Sequence, residues 1–227
     1  MTTKRKITLG IALIAILGLF AFQKLNAEDL SGQMTFGYDS DLHFRGVSDG
    51  IPVKHGSIGV SLSAFDQDIE LGAIVNIKDN VRDELRFHAS TDISILDKVD
   101  TSFGIVSYND NHVVGSASEL FVEIGADIIL DPKIKLFYNP GESDVTVEGS
   151  VSYVVEIGDK IDVGSTAYLG NTVMDDDSGV YYGVSVIGSY SVNETVEVFV
   201  GLDFTDTSGT RFDAPDVACF AGLTYKY

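Results

Sequence analysis

The most constraining feature of this sequence is an alternation of apolar and polar residues that recurs along almost the whole chain after residue 27. From Leu120 to Leu130 every second residue is apolar, and the positions between them include Glu123 and Asp127. A period of two residues is typical of a β-strand with one apolar face, whereas an amphipathic helix has a period near 3.6 residues. The sequence therefore predicts an all-β protein.

Twelve segments with this alternation follow one another, and we interpret each as a strand. Tight connections, such as 158–160, alternate with longer ones, such as 174–178. An even number of strands, with short turns at one rim and longer loops at the other, is typical of bacterial outer-membrane barrels. We therefore predict a single transmembrane antiparallel up-and-down β-barrel of twelve strands, with ten or fourteen as the alternatives. The predicted strands lie near residues 32–40, 56–65, 68–78, 84–96, 98–109, 117–130, 132–138, 144–157, 161–173, 179–192, 195–205 and 216–227.

The length of these segments favours a membrane-spanning barrel. Ten residue steps from Leu120 to Leu130, at about 3.4 Å each and a tilt of about 40°, rise roughly 26 Å. The apolar band of an outer-membrane barrel is about 25 Å tall, whereas strands of soluble proteins average about five or six residues. A soluble secreted β-sandwich is the alternative fold, and membrane fractionation would separate the two.

The beginning of the chain has the order of features found in a secretory signal peptide. Three basic residues precede an apolar segment over 7–22, and a short polar stretch ends at Ala27. The apolar segment has about 16 residues, fewer than the roughly 20 that a membrane-spanning helix needs. We predict a signal peptide over residues 1–27, cleaved after Ala27, and a barrel domain over 28–227. An uncleaved N-terminal anchor is the alternative.

The charge of the chain argues against nucleic acid as a partner. The formal net charge is −19, and the predicted signal peptide contains four basic residues and no acidic one. The remaining chain therefore carries about −23, which disfavours binding to phosphate groups. The single cysteine, Cys219, cannot form an internal disulfide and leaves no cysteine cluster for zinc. We predict no cofactor and no bound metal.

The last predicted strand carries an outward apolar row that includes Leu223 and Tyr225 and ends on Tyr227. This row resembles the terminal-strand signal of bacterial outer-membrane barrels. The resemblance implies that these three residues contact the barrel assembly machinery, and that the assembled barrel contacts outer-membrane lipids.

The inward positions of the predicted strands carry more acidic than basic residues. Rings of Asp and Glu attract cations, and inward charges are stable where water or an opposite charge solvates them. We therefore predict a porin-like channel for passive diffusion of small solutes, with a preference for cations. Arg45 and Lys54 of the first long loop form the predicted constriction. The predicted pore-lining residues are Glu70, Arg86, His88, Glu123, Asp127, Lys135, Glu148 and Glu197.

The segment from Tyr38 to Ser63 resembles the start of the TorF-type porins. In that family the first strand runs into an aromatic-x-Phe-Arg-Gly sequence, and a loop leads to a glycine-rich strand. The resemblance implies a pore-forming barrel without indicating its solute. It is carried here by Phe44, Arg45, Gly46, Val47 and Ser48 after the first predicted strand and by Gly56 at the start of the second.

Other functions remain open from the sequence. Pairing of Arg86 and Lys135 with neighbouring acids such as Glu123 and Glu148 would plug the lumen, which would give a non-conducting structural barrel. An adhesive barrel is another alternative. The oligomeric state is open as well.

An outer-membrane hydrolase is the third alternative, because His88, Ser90 and Asp92 include the residue types of a catalytic triad. Successive positions on one strand face are about 7 Å apart, which does not bring a base to a nucleophile. We therefore predict that the chain is not an enzyme. The facing of the segment 98–109 is ambiguous, because two apolar pairs, Phe103 with Ile105 and Val106 with Tyr108, compete for the outward face.

Overall fold

The computed structural model describes most of the chain after residue 29. The predicted signal peptide and Arg45 lie outside the described residues. Within those residues no helix is long and apolar enough to span a membrane. The described ranges are 30–41, 43–44, 47–48, 52–64, 67–78, 84–96, 98–110, 115–174, 177–208 and 216–227.

Twelve strands form a closed antiparallel barrel, and two strands of two residues each pair with one another in the first long connection. The strands are β1 (Leu30–Asp39), β2 (His43–Phe44), β3 (Val47–Ser48), β4 (Val53–Ala64), β5 (Gln67–Lys78), β6 (Glu84–Leu96), β7 (Val99–Asp110), β8 (Gly115–Ala126), β9 (Lys133–Asn139), β10 (Asp144–Ile157), β11 (Ile161–Met174), β12 (Asp177–Ser191), β13 (Val196–Ser208) and β14 (Asp216–Lys226).

The barrel closes where β1 pairs with β14, with Phe36 opposite Leu223. Every other neighbour in the sheet is also a neighbour in sequence, since β2 and β3 stay outside the barrel. Closure satisfies the backbone groups of both terminal strands and leaves no exposed edge. The predicted twelve-stranded antiparallel barrel is confirmed.

The two rims differ in their connections. What we call the turn rim carries the connections 65–66, 97–98, 127–132, 158–160 and 192–195. The first residue of β1 and the last residue of β14 also lie at this rim. What we call the loop rim carries 40–52, 79–83, 111–114, 140–143, 175–176 and 209–215. Only two residues separate β11 from β12, so the longer connection predicted over 174–178 is wrong.

Alternate residues face the lumen and the outside. The outward row is apolar, as at Phe36 and Val200, whose side chains are 52% and 62% exposed. The register also settles the facing of β7. Phe103 lies beside Thr91 and Val122 on the outward face, so Val106 and Tyr108 face the lumen.

The prediction of a strand over 117–130 is wrong beyond Ala126, where β8 ends. Leu130 and Asp131 have positive φ angles of 89° and 32°, which turn the chain before Pro132. The Leu130 carbonyl accepts a hydrogen bond of 2.8 Å from the Ser152 amide, so this turn packs against β10. Alternation alone could not locate the end of the strand, because apolar residues continue through the turn.

Candidate functional site: the barrel lumen

The register brings three predicted pore-lining residues side by side. Lys135 of β9 lies opposite Glu123 of β8 on one side and Glu148 of β10 on the other. Its Nζ is 3.1 Å from Glu123 Oε2, and it lies 4.4 Å from the ring centroid of Phe121 and 5.3 Å from that of Phe137. An ion pair and two cation–π contacts therefore hold this cation against the wall.

Polar side chains are buried at the inward positions towards the loop rim. We call this group the loop-side belt: its inward residues are all buried, although most of them are polar or charged. Buried polar groups are stable when they are paired. The belt is therefore the level at which buried inward polar side chains are concentrated. It consists of Asn76, Lys78, Glu84, Glu119, Asn139, Thr146, Thr172 and Tyr181.

Pairing within and beside the belt is extensive. Lys78 Nζ lies 3.8 Å from Glu84 Oε2, and Glu84 also accepts a hydrogen bond from Arg86. The Arg86 guanidinium lies 5.3 Å from the ring centroid of Tyr108, whose hydroxyl donates a 2.9 Å hydrogen bond to Glu119. The charges at this level therefore largely neutralise one another.

The lumen is open on the turn-rim side of the belt. A cavity of about 740 Å³, which we call the vestibule, lies against strands β5 to β9. Three permanent cations line it, namely Arg86, Lys133 and Lys135, and His88 lines it as well. Six carboxylates line it, so acids exceed permanent cations by three. They belong to Glu70, Asp92, Asp100, Glu123, Asp127 and Asp131.

The far wall of the lumen is poorer in cations. Among the described strand residues that face inward, Lys226 is the sole lysine or arginine of β10 to β14, β1 and β4. It pairs with Glu197 at 2.8 Å. Inward acids of the same wall include Glu148, Glu156, Asp162 and Asp203. The lumen is therefore asymmetric, with most of its bases on β5 to β9.

Inward tyrosines of β11 and β12 lie over glycines of the neighbouring strand. The Tyr181 ring occupies the space that a Cβ at Gly170 would need, and the Tyr168 ring does the same at Gly183. The two ring centroids are 6.4 Å apart. Both rings thus lie flat along the wall. They narrow the lumen less than rings that point towards the barrel axis would.

The same arrangement occurs in the next pair of strands. Phe199 lies over Gly222, and Phe220 lies over Gly201, again with ring centroids 6.4 Å apart. The sequence signal is an aromatic-x-Gly triplet on each strand of the pair, as in Phe199-Val200-Gly201. Alternation alone does not reveal this arrangement, because it gives the facing of each residue and not its partner on the neighbouring strand.

The predicted pore-lining residues occupy different parts of the lumen wall in the structure. Glu148 and Glu197 face the lumen at other positions of the wall, by their register. Asp127 lies just beyond the end of β8, and its amide bonds the Lys98 carbonyl at 3.0 Å. The residues Glu70, Arg86, His88, Glu123, Asp127 and Lys135 line the vestibule.

The prediction that Lys54 belongs to a loop constriction needs correction. Lys54 is the second residue of β4 and lies opposite Tyr38 and Ile77, on the outward row. Its side chain is exposed. The loop is shorter than predicted, because β4 begins at Val53, and the alternation then turns Lys54 away from the lumen.

The triad residue types on β6 are not assembled into a catalytic arrangement. His88 Nε2 lies 3.7 Å from Glu70 Oε1, and its ring fills the space over Gly72. Asp92 accepts a hydrogen bond from Ser102 on β7. In the described part of the chain, no group of three His, Cys, Asp or Glu residues could hold a metal ion.

A short loop beyond the belt carries a perturbed carboxyl group. Desolvation, together with the neighbouring Asp144 carboxylate, raises the pKa of Glu142 in the connection between β9 and β10. The Gly141 amide donates a 3.0 Å hydrogen bond to the Asn139 side chain, which orders this connection. As pH falls, this loop acid takes up a proton before an ordinary glutamate does.

No family model matches the chain, and no curated protein matches it. The resemblance of residues 38–63 to the TorF-type porins therefore stays a prediction.

Solved structures do match the fold over most of the chain. The NanC porin is 12% identical, with a TM-score of 0.60 over 86% of this chain and 100% of that chain. The KdgM porin is 12% identical, with a TM-score of 0.59 over 86% and 99%. The COG4313 outer membrane channel from Pseudomonas putida F1 is 9% identical, with a TM-score of 0.55 over 89% and 97%. The chain therefore has the barrel fold of solved outer-membrane porins and channels.

Proposed function

We propose that this chain is a porin-like channel of the bacterial outer membrane, through which small solutes diffuse passively with a preference for cations. The observation that carries the proposal is the vestibule, where six carboxylates face three permanent cations in an open cavity of about 740 Å³. An excess of fixed acids lowers the energy of a cation in the lumen and raises that of an anion.

Local pairing strengthens this preference. Each permanent cation of the vestibule has a carboxylate beside it: Arg86 pairs with Glu84, Lys133 with Asp131 at 3.4 Å, and Lys135 with Glu123 at 3.1 Å. A cation held against an acid contributes little net field to a passing ion. The remaining vestibule acids, Asp92 and Asp127 among them, then dominate.

The loop-side belt is where the proposed path narrows, so we expect a small conductance. The same belt favours a second candidate function, a non-conducting structural or adhesive barrel, because its buried and paired side chains would act as a plug.

Arg45 is retained as a candidate loop constriction. Replacement of Arg45 by alanine should raise conductance if it narrows the entrance, and should leave it unchanged otherwise.

Acidic oligosaccharides are poor candidates for the solute. The KdgM porin has been solved in complex with disordered oligogalacturonate, a chain of carboxylated sugars. In the present barrel such a chain would meet the acid excess of the vestibule, which would repel it. We therefore propose small cations and small neutral molecules as the solutes, and no catalytic activity.

Export and assembly belong to the same proposal. We propose that residues 1–27 are removed as a signal peptide. Leu223 and Tyr225 are exposed on the outward face of β14. With Tyr227, they form the row that we propose is contacted by the barrel assembly machinery before the barrel meets outer-membrane lipids.

The test compares ion selectivity of matched variants in planar bilayers. Replacing Asp92 and Asp127 together by asparagine should reduce the cation preference. Asp206→Asn is the control, because Asp206 lies outward, where it accepts a 2.6 Å hydrogen bond from Tyr182. Equal effects of the double variant and the control would contradict the proposed role of the vestibule acids. If the folded wild-type barrel carried no ionic current, this result would favour the plugged alternative.

A further inference from the structure

A groove lies on the outer surface of the barrel, where small residues interrupt the outward apolar row. Its volume is about 310 Å³, and its lining is almost wholly apolar. Ala73, with its side chain 8% exposed, and Gly56 form the floor. Phe36 and Val75 stand on either side of Gly56, opposite it in the register.

Gly56 differs from Gly170 and Gly201, where an aromatic ring of the neighbouring strand fills the space of a Cβ. A Cβ at Gly56 would meet nothing closer than Phe36 Cδ1 at 3.6 Å, which is an ordinary contact. Its φ is not positive either, so the backbone does not require glycine there. The absence of a side chain leaves a depression that larger residues could have filled without strain.

A cation lies at the loop-rim end of this groove. Among the described strand residues that face outward, Lys54 is the sole lysine or arginine. It is exposed, and it lies directly opposite Tyr38, whose ring is also exposed. Lysine and tyrosine at this level are typical of the boundary between the apolar band and lipid headgroups.

We propose that this groove is a binding site for one anionic membrane lipid, with an acyl chain along Gly56 and Ala73 and the lipid phosphate on Lys54. An apolar depression with a single cation at its headgroup end matches an acyl chain that carries a phosphate. The inference needs the barrel to be in a membrane, and it does not need the barrel to conduct.

The test measures lipid retained by the purified barrel. The barrel of residues 28–227 would be incubated in mixed micelles that contain phosphatidylglycerol and phosphatidylcholine. Native mass spectrometry would then count the lipids of each kind that the barrel retains. We expect about one retained phosphatidylglycerol, preferred by about tenfold, because one charge-assisted hydrogen bond corresponds to such a factor. Lys54→Gln should abolish the preference, and Lys54→Arg should keep it.

Filling the groove tests the acyl-chain part of the site. Gly56→Leu should lose the retained lipid of either kind. Gly188→Leu is the control, since Gly188 faces outward and a Cβ there meets only Val200 O at 4.0 Å. Heat-dependent gel mobility would show that each variant is folded. Equal retention in wild type, K54Q and G56L, or a barrel dimer lost in G56L without any retained lipid, would overturn the inference.

Discussion

Tyr181 of β12 donates a 2.7 Å hydrogen bond to Glu148 of β10, across the strand that lies between them. The residue of β11 that separates them in the register is Gly170. Because glycine has no side chain, the Tyr181 ring can cross β11 along the wall. The tyrosine is 1% exposed, so the contact is enclosed within the loop-side belt.

The first prediction concerns that crossing. Gly170→Ala should displace the Tyr181 ring and break its bond to Glu148, because the three atoms nearest to a Cβ at 170 all belong to Tyr181 and would overlap it. We expect a loss of about 1–3 kcal/mol in the free energy of unfolding, as for an overpacked site, measured by urea unfolding in lipid vesicles. Gly188→Ala should cause little change, and an equal loss there would contradict this explanation.

The second prediction separates the hydroxyl of Tyr181 from its ring. Tyr181→Phe keeps the ring over Gly170 and removes the donor to Glu148, so we expect a loss of about 1 kcal/mol. Tyr153→Phe, on the exposed outward face of β10, is the control and should change stability little. If the loss in Y181F matches the loss in G170A, the ring contributes nothing beyond its hydrogen bond.

The third prediction concerns Glu123 and Lys135. Lys135→Gln removes a vestibule cation and leaves Glu123 without its partner, so the cation preference should rise. Glu123→Gln removes an acid and should lower it. Reversal potentials across a salt gradient measure both changes. Shifts in the same direction would show that these side chains act through shape instead of charge.

The fourth prediction uses the turn after β8. Leu130 has a φ of 89°, a region that favours glycine over residues with a side chain. Leu130→Gly should therefore stabilise the barrel by about 1 kcal/mol. Ile129 has no positive φ, and its side chain is 81% exposed, so Ile129→Gly should give no such gain. Comparable gains in both variants would show that backbone strain is not the cause.

Much of the barrel could be predicted because membrane strands obey a simple alternation. The outward apolar row forces residues such as Glu70 and Glu123 to face inward, whatever the neighbouring strands do. The end of β8 could not be predicted in this way, since Ile128, Ile129 and Leu130 continue the apolar run through a turn.

Contacts between strands were harder to predict than facing. The contacts of the Tyr181 ring with Gly170 and of the Phe220 ring with Gly201 depend on register, which alternation does not determine. Lys54 shows a related limit. A shift of two or three residues in the start of β4 decides whether that lysine belongs to a loop or to the outward row.

The most direct test of the central claim is the reversal potential of the refolded wild-type barrel in a planar bilayer under a salt gradient. The acid excess of the vestibule predicts small unitary currents and a reversal potential displaced towards the equilibrium potential of the cation. A reversal potential displaced towards that of the anion would contradict the account of the lumen.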